Sequence, residues 1–190
     1  MQPSVQSLTE ISTRRNDDAS PPSTARERRT ELTTINREAI LSARNDTILL
    51  ADDDTNDILL FRRALKQANV PNPIQSVRDG AEAMDYLSGR DQYADRGTYP
   101  LPALLVLDLK MPRTTGFEVL QWLREQPRLN RLRVVVLSSS NQIADVNRAY
   151  ELGASSYLVK PGGFDGLLAV VRMLQVYWLM LAEKPEVGCG

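Results

Sequence analysis

The feature that most constrains the fold is an alternation, from Thr47 onward, of short apolar runs with segments of helical periodicity. In those segments apolar residues recur three or four positions apart, as they do on one face of a helix. Strands that alternate with helices are typical of a parallel sheet covered on both faces. The sequence therefore predicts a doubly wound, five-stranded parallel α/β sheet with five helices, its strands at residues 47–51, 74–77, 103–107, 133–137 and 155–159.

Residues able to cap helices indicate where the helices begin and end. Asp54 and Asn141 are predicted N-caps, because a short polar side chain can accept a backbone N–H at that position. Gly89 is a predicted helix end, because glycine tolerates the left-handed backbone that often closes a helix. The fifth helix is predicted to start near Phe164. The apolar residues that mark the fourth helix are Ile143, Val146 and Tyr150.

The length of 190 residues suits one well-buried domain with extensions. We assign residues 47–183 to that domain. Residues 1–46 are rich in Ser, Thr, Arg and Glu and are predicted to form a flexible extension, although residues 26–42 contain enough helix formers for a short helix. Residues 184–190 are a predicted C-terminal tail.

Composition argues against several kinds of site and partner. The chain has no histidine and one cysteine, which excludes Ser-His-Asp triads, histidine zinc sites and a disulfide framework. A net charge of -1 provides no overall basic field for nucleic acid or an anionic membrane. The most apolar stretch, residues 166–181, is interrupted by Arg172 and Gln175, which argues against a membrane-spanning helix. A cytoplasmic protein that binds neither nucleic acid nor membrane is therefore expected.

Chemically active side chains follow or end four of the five predicted strands. Asp52 and Asp53 follow the first, Asp108 the third, Ser138 the fourth and Lys160 the fifth. The carboxyl ends of parallel strands meet at one edge of a sheet, so these groups are expected to converge. Clustered carboxylates repel one another unless a cation neutralises them, and Mg²⁺ prefers such hard oxygen ligands. The sequence therefore predicts a Mg²⁺ site at this edge.

Such a site is suited to phosphoryl transfer. A bound metal offsets the repulsion between a phosphate and a carboxylate, while a lysine and a hydroxyl can bind the transferred oxygens. Asp108, which follows a central strand, is the best placed nucleophile.

Four segments carry a resemblance to a known family. ILLADD at residues 48–53, LDLKMP at 107–112, Ser138, and YLVKP at 157–161 resemble the receiver domain of bacterial response regulators. The resemblance extends over residues 47–183 and implies the flavodoxin-like receiver fold. It implies a phosphoacceptor that takes a phosphoryl group from a sensor histidine kinase and slowly dephosphorylates itself, not an enzyme acting on other substrates.

The same resemblance implies a role for each matching residue. Asp108 would be the phosphoacceptor, and Lys160 would bind its phosphoryl group. Ser138 and Tyr157 would form a switch pair that remodels the face made by the fourth helix, the fifth strand and the fifth helix. The implied metal ligands are Asp53, Asp108, the backbone carbonyl of Lys110 and, through metal-bound water, Asp52.

Finer features resemble the stand-alone regulators that partner bacterial phytochromes, which makes a phytochrome kinase the expected partner and a separate molecule the expected effector. Two residues depart from the common family pattern, because Thr115 stands where an aspartate often precedes Gly116 and Ser138 where threonine is commoner. The resemblance also favours a cis bond between Lys160 and Pro161. The phytochrome-partner features are Asn56-Asp57 after the acidic cluster, the loop at residues 90–102, and the segments 111–113, 139–141 and 177–178.

The predicted fifth helix carries two apolar stripes. The stripe suited to the core consists of Leu167, Val171, Leu174, Trp178 and Leu181. The stripe expected to be exposed consists of Val170, Met173, Tyr177 and Met180. The exposed stripe indicates a homodimer or partner interface. The alternative is that residues beyond 183 fold back over it.

Two other functions stay open at this point. A haloacid-dehalogenase-like phosphatase also uses an aspartate nucleophile and Mg²⁺, and Asp52 and Asp54 imitate its two-aspartate motif. Asn56, however, stands where that family has Thr or Val, and no acidic pair follows Lys160. A phosphorylation-independent docking module is the second alternative, because a fold can persist after its chemistry is lost.

Overall fold

The computed structural model of the chain describes residues 46–129 and 132–176. The predictions for residues 1–45 and 184–190 lie outside the described residues. So do four members of the two stripes predicted for the fifth helix, which are Tyr177, Trp178, Met180 and Leu181.

Five strands and five helices alternate along the described residues. The strands are β1 (Ile48–Ala51), β2 (Ile74–Val77), β3 (Leu104–Leu107), β4 (Arg133–Ser138) and β5 (Ser156–Val159). The helices are α1 (Thr55–Gln67), α2 (Gly80–Ser88), α3 (Gly116–Arg124), α4 (Ile143–Glu151) and α5 (Phe164–Leu174), with a 3₁₀ turn at Asp91–Tyr93.

The strands form one sheet in the order β2-β1-β3-β4-β5, and every neighbouring pair is parallel. The predicted fold is therefore confirmed. The strand order reverses between β1 and β3, which makes the carboxyl ends of these two strands the expected position of a site.

The core lies on both faces of this sheet. Alternate residues of β1 separate into two clusters, because successive side chains of a strand point to opposite faces. Leu49 and Ala51 pack with residues of α2, α3 and α4. Ile48 and Leu50 pack with residues of α1 and α5.

Side-chain caps fix the starts of several helices. Asp54 accepts a hydrogen bond from the backbone N–H of Asn56 at 2.7 Å, as predicted. The predicted cap at Asn141 is wrong, because α4 begins after Gln142, whose side chain makes no capping bond. Gly89 closes α2 with φ of 69°, a left-handed conformation that glycine adopts without strain.

The apolar residues that mark α4 are not a core stripe. Ile143 and Tyr150 are 77% and 49% exposed, and the buried residue of the helix is Ala149. The large apolar residues Ile143 and Tyr150 of α4 therefore lie on the surface of the protein. The small residue Ala149 packs against the core instead.

Two predictions for α5 and its approach need correction. Leu168 is buried beside Val171 and Leu174, whereas Val170, predicted to be exposed, is partly buried against the α1 side of the core. No cis peptide bond occurs among the described residues, so the predicted cis bond between Lys160 and Pro161 is wrong. The trans form is the ordinary state of such bonds, and Lys160 reaches its partners from it.

The part of the chain that the structure describes contains no helix that combines the length and the hydropathy needed to span a bilayer.

Candidate functional site

Three consecutive aspartates at the end of β1 have different environments. Asp52 is buried, and its Oδ1 accepts a hydrogen bond from the backbone N–H of Asp54 at 3.0 Å. Asp53 is exposed, and Asp54 is used by the cap of α1. The turn therefore holds one carboxylate inside the site and presents the next to solvent.

Asp108 lies at the end of β3, directly beside β1. Its backbone N–H donates to the carbonyl of Ala51 at 2.9 Å, which continues the ladder between the two strands. Its side chain is buried, and Oδ1 accepts a weak hydrogen bond from the backbone N–H of Lys110 at 3.2 Å. The position of Asp108 is therefore set by backbone contacts on both sides.

The acidic residues form a cluster that fits a divalent cation. Asp52, Asp53 and Asp108 each offer a carboxylate oxygen, and these oxygens lie within 4.8 Å of one another. Three carboxylates of which one is exposed provide hard oxygen ligands with access for water, as Mg²⁺ requires. The predicted backbone ligand, Lys110, lies two residues after Asp108 in the following loop.

Lys160, just after β5, joins this cluster. Its Nζ donates to Asp52 Oδ2 at 2.7 Å, to Asp57 Oδ2 at 2.7 Å and to Asp108 Oδ2 at 2.9 Å. Its backbone N–H donates to the carbonyl of Ser138 at 2.8 Å, which fixes where the side chain starts. The lysine therefore connects the far strand of the sheet to the acidic residues of the central strands.

The protonation states follow from burial and pairing. Burial alone would lower the pKa of Lys160, but its hydrogen bonds to the three aspartates raise that pKa above its usual value. Burial raises the pKa of Asp52, and the hydrogen bond from Lys160 opposes this effect. Lys160 is therefore charged throughout the physiological range, and it compensates part of the negative charge of the cluster.

Asp57 is a residue of the site that the sequence patterns do not predict. It lies in the first turn of α1, three residues after the cap Asp54, where an acidic residue is ordinarily explained by the helix dipole. Only the fold brings this turn to Lys160, which is 103 residues away in the chain. The available signal was its position close behind two predicted metal ligands.

Ser138 and Tyr157, the predicted switch pair, lie on neighbouring strands, where Tyr157 pairs with Val136. Ser138 is fully buried at the end of β4. Tyr157 is half-buried, packs against the core, and donates its hydroxyl to the carbonyl of Ser140 at 2.9 Å. The aromatic ring is therefore tied to the loop that follows Ser138.

The loop after Asp108 is attached to α2. The carboxylate of Asp79 pairs with the guanidinium of Arg113, and the N–H of Gly80 donates to the carbonyl of Thr114 at 3.1 Å. Asp79 also caps α2 through the N–H of Glu82 at 2.8 Å. One buried carboxylate thus fixes both a helix start and the loop that carries Lys110.

An apolar cavity of about 300 Å³ lies beside the acidic cluster. Its walls come from β1, α1, β4 and the start of α5, and they include Asp57 and Lys160 together with Leu60 and Phe164. Both partners of the Lys160–Asp57 ion pair therefore line this cavity.

Comparison with known proteins agrees with this arrangement. Residues 48–172 match the family model for the response regulator receiver domain. The probable methanogenesis regulatory protein FilR2 of Methanothrix harundinacea is 36% identical over 73% of this chain and 86% of its own. The response regulator Rcp1 of Synechocystis sp. is 34% identical over 73% of this chain and 92% of its own.

Solved structures give the same result. The phosphorylated cyanobacterial phytochrome response regulator RcpA is 36% identical with a TM-score of 0.69, over 75% of this chain and 99% of its own. The bacteriophytochrome response regulator RtBRR is 39% identical with a TM-score of 0.60, over 75% of this chain and 85% of its own. The Mn²⁺-bound form of Rcp1 is 34% identical with a TM-score of 0.67, over 74% of this chain and 99% of its own.

Proposed function

Because the chain belongs to the response regulator receiver family, we propose that it is a signalling protein whose Asp108 accepts a phosphoryl group in a Mg²⁺-dependent reaction. The observation that carries the proposal is the 2.9 Å contact between Lys160 Nζ and Asp108 Oδ2, beside three carboxylates close enough to share one cation. One incoming phosphate would therefore contact the nucleophile Asp108, the positive charge of Lys160 and the metal bound by the carboxylates.

The proposed reaction needs no proton donor among these residues. An oxygen of the Asp108 carboxylate attacks phosphorus, the bond from phosphorus to the leaving group breaks, and the leaving group departs with the electron pair. Mg²⁺ would offset the repulsion between the two anions when bound. Lys160 would bind a transferred phosphoryl oxygen, and Ser138 would offer its hydroxyl to another.

The metal assignment rests on the donor set. Asp53, Asp108 and the Lys110 carbonyl would bind the ion directly, and Asp52 would hold its water. The relative Rcp1 has been solved with Mn²⁺, which accepts similar oxygen ligands. We propose Mg²⁺ for this chain because it suits an all-oxygen site that also receives phosphate.

We propose a sensor histidine kinase, and specifically a bacterial phytochrome, as the phosphoryl donor. Support comes from RcpA and RtBRR, which are described as phytochrome response regulators and match this chain over three quarters of its length. The cytoplasmic location expected from the sequence stays a prediction.

The α4–β5–α5 face is the proposed output surface. It exposes Ile143 and Tyr150 on α4, Val159 on β5 and Met173 on α5, with exposed fractions of 77%, 49%, 47% and 46%. Tyr157 lies in β5, the strand of this face, and its hydroxyl donates to the carbonyl of Ser140 in the loop after Ser138. A movement of that loop on phosphorylation would reach the surface through the aromatic ring.

Intact-protein mass spectrometry after incubation with acetyl phosphate tests the phosphoacceptor. We expect one phosphoryl adduct on the wild type, formed only with Mg²⁺, retained in the control variant Asp85→Asn and lost in Asp108→Asn. Absence of any adduct would favour the docking module. An adduct that survives Asp108→Asn and maps to Asp52 would favour the phosphatase.

Sedimentation velocity with Mg²⁺ and beryllofluoride tests the output surface. We expect a dimer for the wild type, a monomer for Met173→Glu, and a dimer for the control Leu59→Glu, which alters an exposed leucine of α1 instead. A wild type that stays monomeric under these conditions would refute the homodimer and leave the face to another partner.

A further inference from the structure

The ammonium group of Lys160 has no free donor. A lysine ammonium carries three N–H groups. The three carboxylates of Asp52, Asp57 and Asp108 accept from it at 2.7, 2.7 and 2.9 Å. Two of these partners belong to the predicted chemistry of the site, and the third, Asp57, has no role in it.

A phosphoryl oxygen therefore has to displace one of these carboxylates before Lys160 can bind it, an argument that rests on the proposed function. The side chain of Asp52 is 4% exposed and that of Asp57 is 39% exposed. A carboxylate that loses its partner in a buried position has no water to replace it, whereas an exposed carboxylate is rehydrated. The bond to Asp57 is the least costly of the three to break.

The contacts of Asp57 among the described residues indicate no second role for it in the site. Asp57 lies in the first turn of α1 and lines the cavity beside the site. It does not belong to the three carboxylates whose oxygens lie within 4.8 Å of one another. Among the described residues, the side chain of Asp57 forms a hydrogen bond with Lys160 alone.

We propose that Asp57 is a latch on Lys160. Its carboxylate holds the ammonium in the unphosphorylated protein and has to release it when the phosphoryl group arrives. Asp57 is a positioning residue that acts through Lys160: it slows phosphorylation of Asp108 and weakens the binding of a phosphoryl mimic. The phosphate and the Asp57 carboxylate compete for the same N–H group.

Three variants separate the latch from the helix dipole. Asp57→Asn keeps the size of the side chain and removes the charge. Asp57→Glu keeps the carboxylate and is expected to restore the competition. Asp165→Asn removes a matched first-turn aspartate from α5, where it has no contact with Lys160 among the hydrogen bonds of the described residues.

The rate of adduct formation with acetyl phosphate and the dissociation constant of beryllofluoride, both at saturating Mg²⁺, are the functional readouts. For Asp57→Asn we expect phosphorylation faster by roughly two- to fivefold and beryllofluoride binding tighter by a similar factor, the scale of a partly exposed ion pair. Asp57→Glu and Asp165→Asn are expected to match the wild type. A slower or unchanged rate in Asp57→Asn, or an equal gain in Asp165→Asn, would overturn the latch.

A measurement without phosphate keeps the latch separate from the proposed function. The NMR resonance of the Lys160 ε-methylene, assigned by its loss in Lys160→Arg, is expected to shift in Asp57→Asn and to stay near the wild-type position in Asp165→Asn. No shift would overturn the latch, whatever the phosphorylation result. A wild type that forms no adduct on Asp108 would instead overturn the proposed function.

Discussion

Gly116 at the start of α3 lies against the backbone of Asp108. A Cβ atom at this position would overlap the backbone oxygen of Asp108 and would lie 2.9 Å from the Cα of Leu109. Both contacts are with main-chain atoms, which cannot rotate away as the end of a side chain can. The end of β3 and the start of α3 therefore approach more closely than any residue with a side chain allows.

Gly116→Ala should consequently disturb both stability and chemistry. We expect a loss of about 1–3 kcal/mol in the free energy of unfolding, the usual scale of overpacking. We also expect slower phosphorylation, because the strain falls on Asp108, the proposed phosphoacceptor. Chemical denaturation and acetyl phosphate labelling measure the two effects.

Gly162→Ala is the matched control, because a Cβ there meets nothing within 4 Å. Its stability and labelling should stay close to the wild type. Equal effects of the two substitutions would mean that the close approach to Asp108 is not responsible.

Thr115, where the family more often has aspartate, has a structural role of its own. Its Oγ1 accepts from the N–H of Glu118 at 3.4 Å, while the Glu118 carboxylate accepts from the N–H of Thr115 at 2.8 Å. This reciprocal capping box satisfies donors that α3 cannot satisfy itself. Thr115→Ala should cost about 1 kcal/mol in the free energy of unfolding, whereas Thr115→Asp should cost little. Thermal and chemical denaturation of both variants test this, and an equal loss in both would contradict the capping role.

The fold and most of the site could be predicted from the sequence because they depend on local patterns. Apolar runs give the buried strands, and the residues after Ala51, Leu107 and Val159 can be placed once the strands are known to be parallel. Asp52, Asp108 and Lys160 each follow a predicted strand. The parallel topology of the sheet then brings the three residues together.

What could not be predicted depends on contacts between distant elements. Asp57 contacts Lys160 only because the fold brings the first turn of α1 next to the residue that follows β5. The exposure of Ile143 could not be read from periodicity, because an amphipathic pattern describes an apolar face without saying whether the core or a partner covers it.

Arg96 holds the loop between α2 and β3 in place. Its guanidinium donates to the carbonyls of Tyr86 at 2.7 Å, Leu87 at 2.8 Å and Tyr99 at 3.1 Å. Two of these carbonyls belong to the last turn of α2, where a cation also complements the helix dipole.

Replacement by methionine keeps the length of the Arg96 side chain and leaves all three carbonyls without this donor. Arg96→Met should lower the free energy of unfolding by about 1.5–3 kcal/mol, the scale of hydrogen bonds to a charged group. Hydrogen exchange should show loss of protection in α2 and the loop. The control Arg90→Met, at an exposed position, should change little, and a comparable loss there would contradict a specific clamp.

Tyr86 is fully buried beside Tyr93 and Tyr99, and its hydroxyl donates to the carbonyl of Pro100 at 3.0 Å. Burial raises the pKa of Tyr86 from 10.0 to about 12. Between pH 10 and about pH 12, the Tyr86 hydroxyl keeps its proton in the folded protein and releases it in the unfolded chain. The unfolded chain then binds fewer protons than the folded protein, so the stability that Tyr86 contributes is complete below pH 10 and falls as the pH rises toward 12.

The difference in stability between the wild type and Tyr86→Phe isolates this effect, because the other titrating groups are present in both proteins. At neutral pH the variant should be less stable by about 1 kcal/mol, the usual value of a hydrogen bond. By pH 11 that deficit should shrink by about 1 kcal/mol, because phenylalanine has no proton to lose. Urea unfolding at neutral pH and at pH 11 measures both differences, and a deficit that stays constant with pH would mean that the Tyr86 hydroxyl ionises equally well in the folded protein.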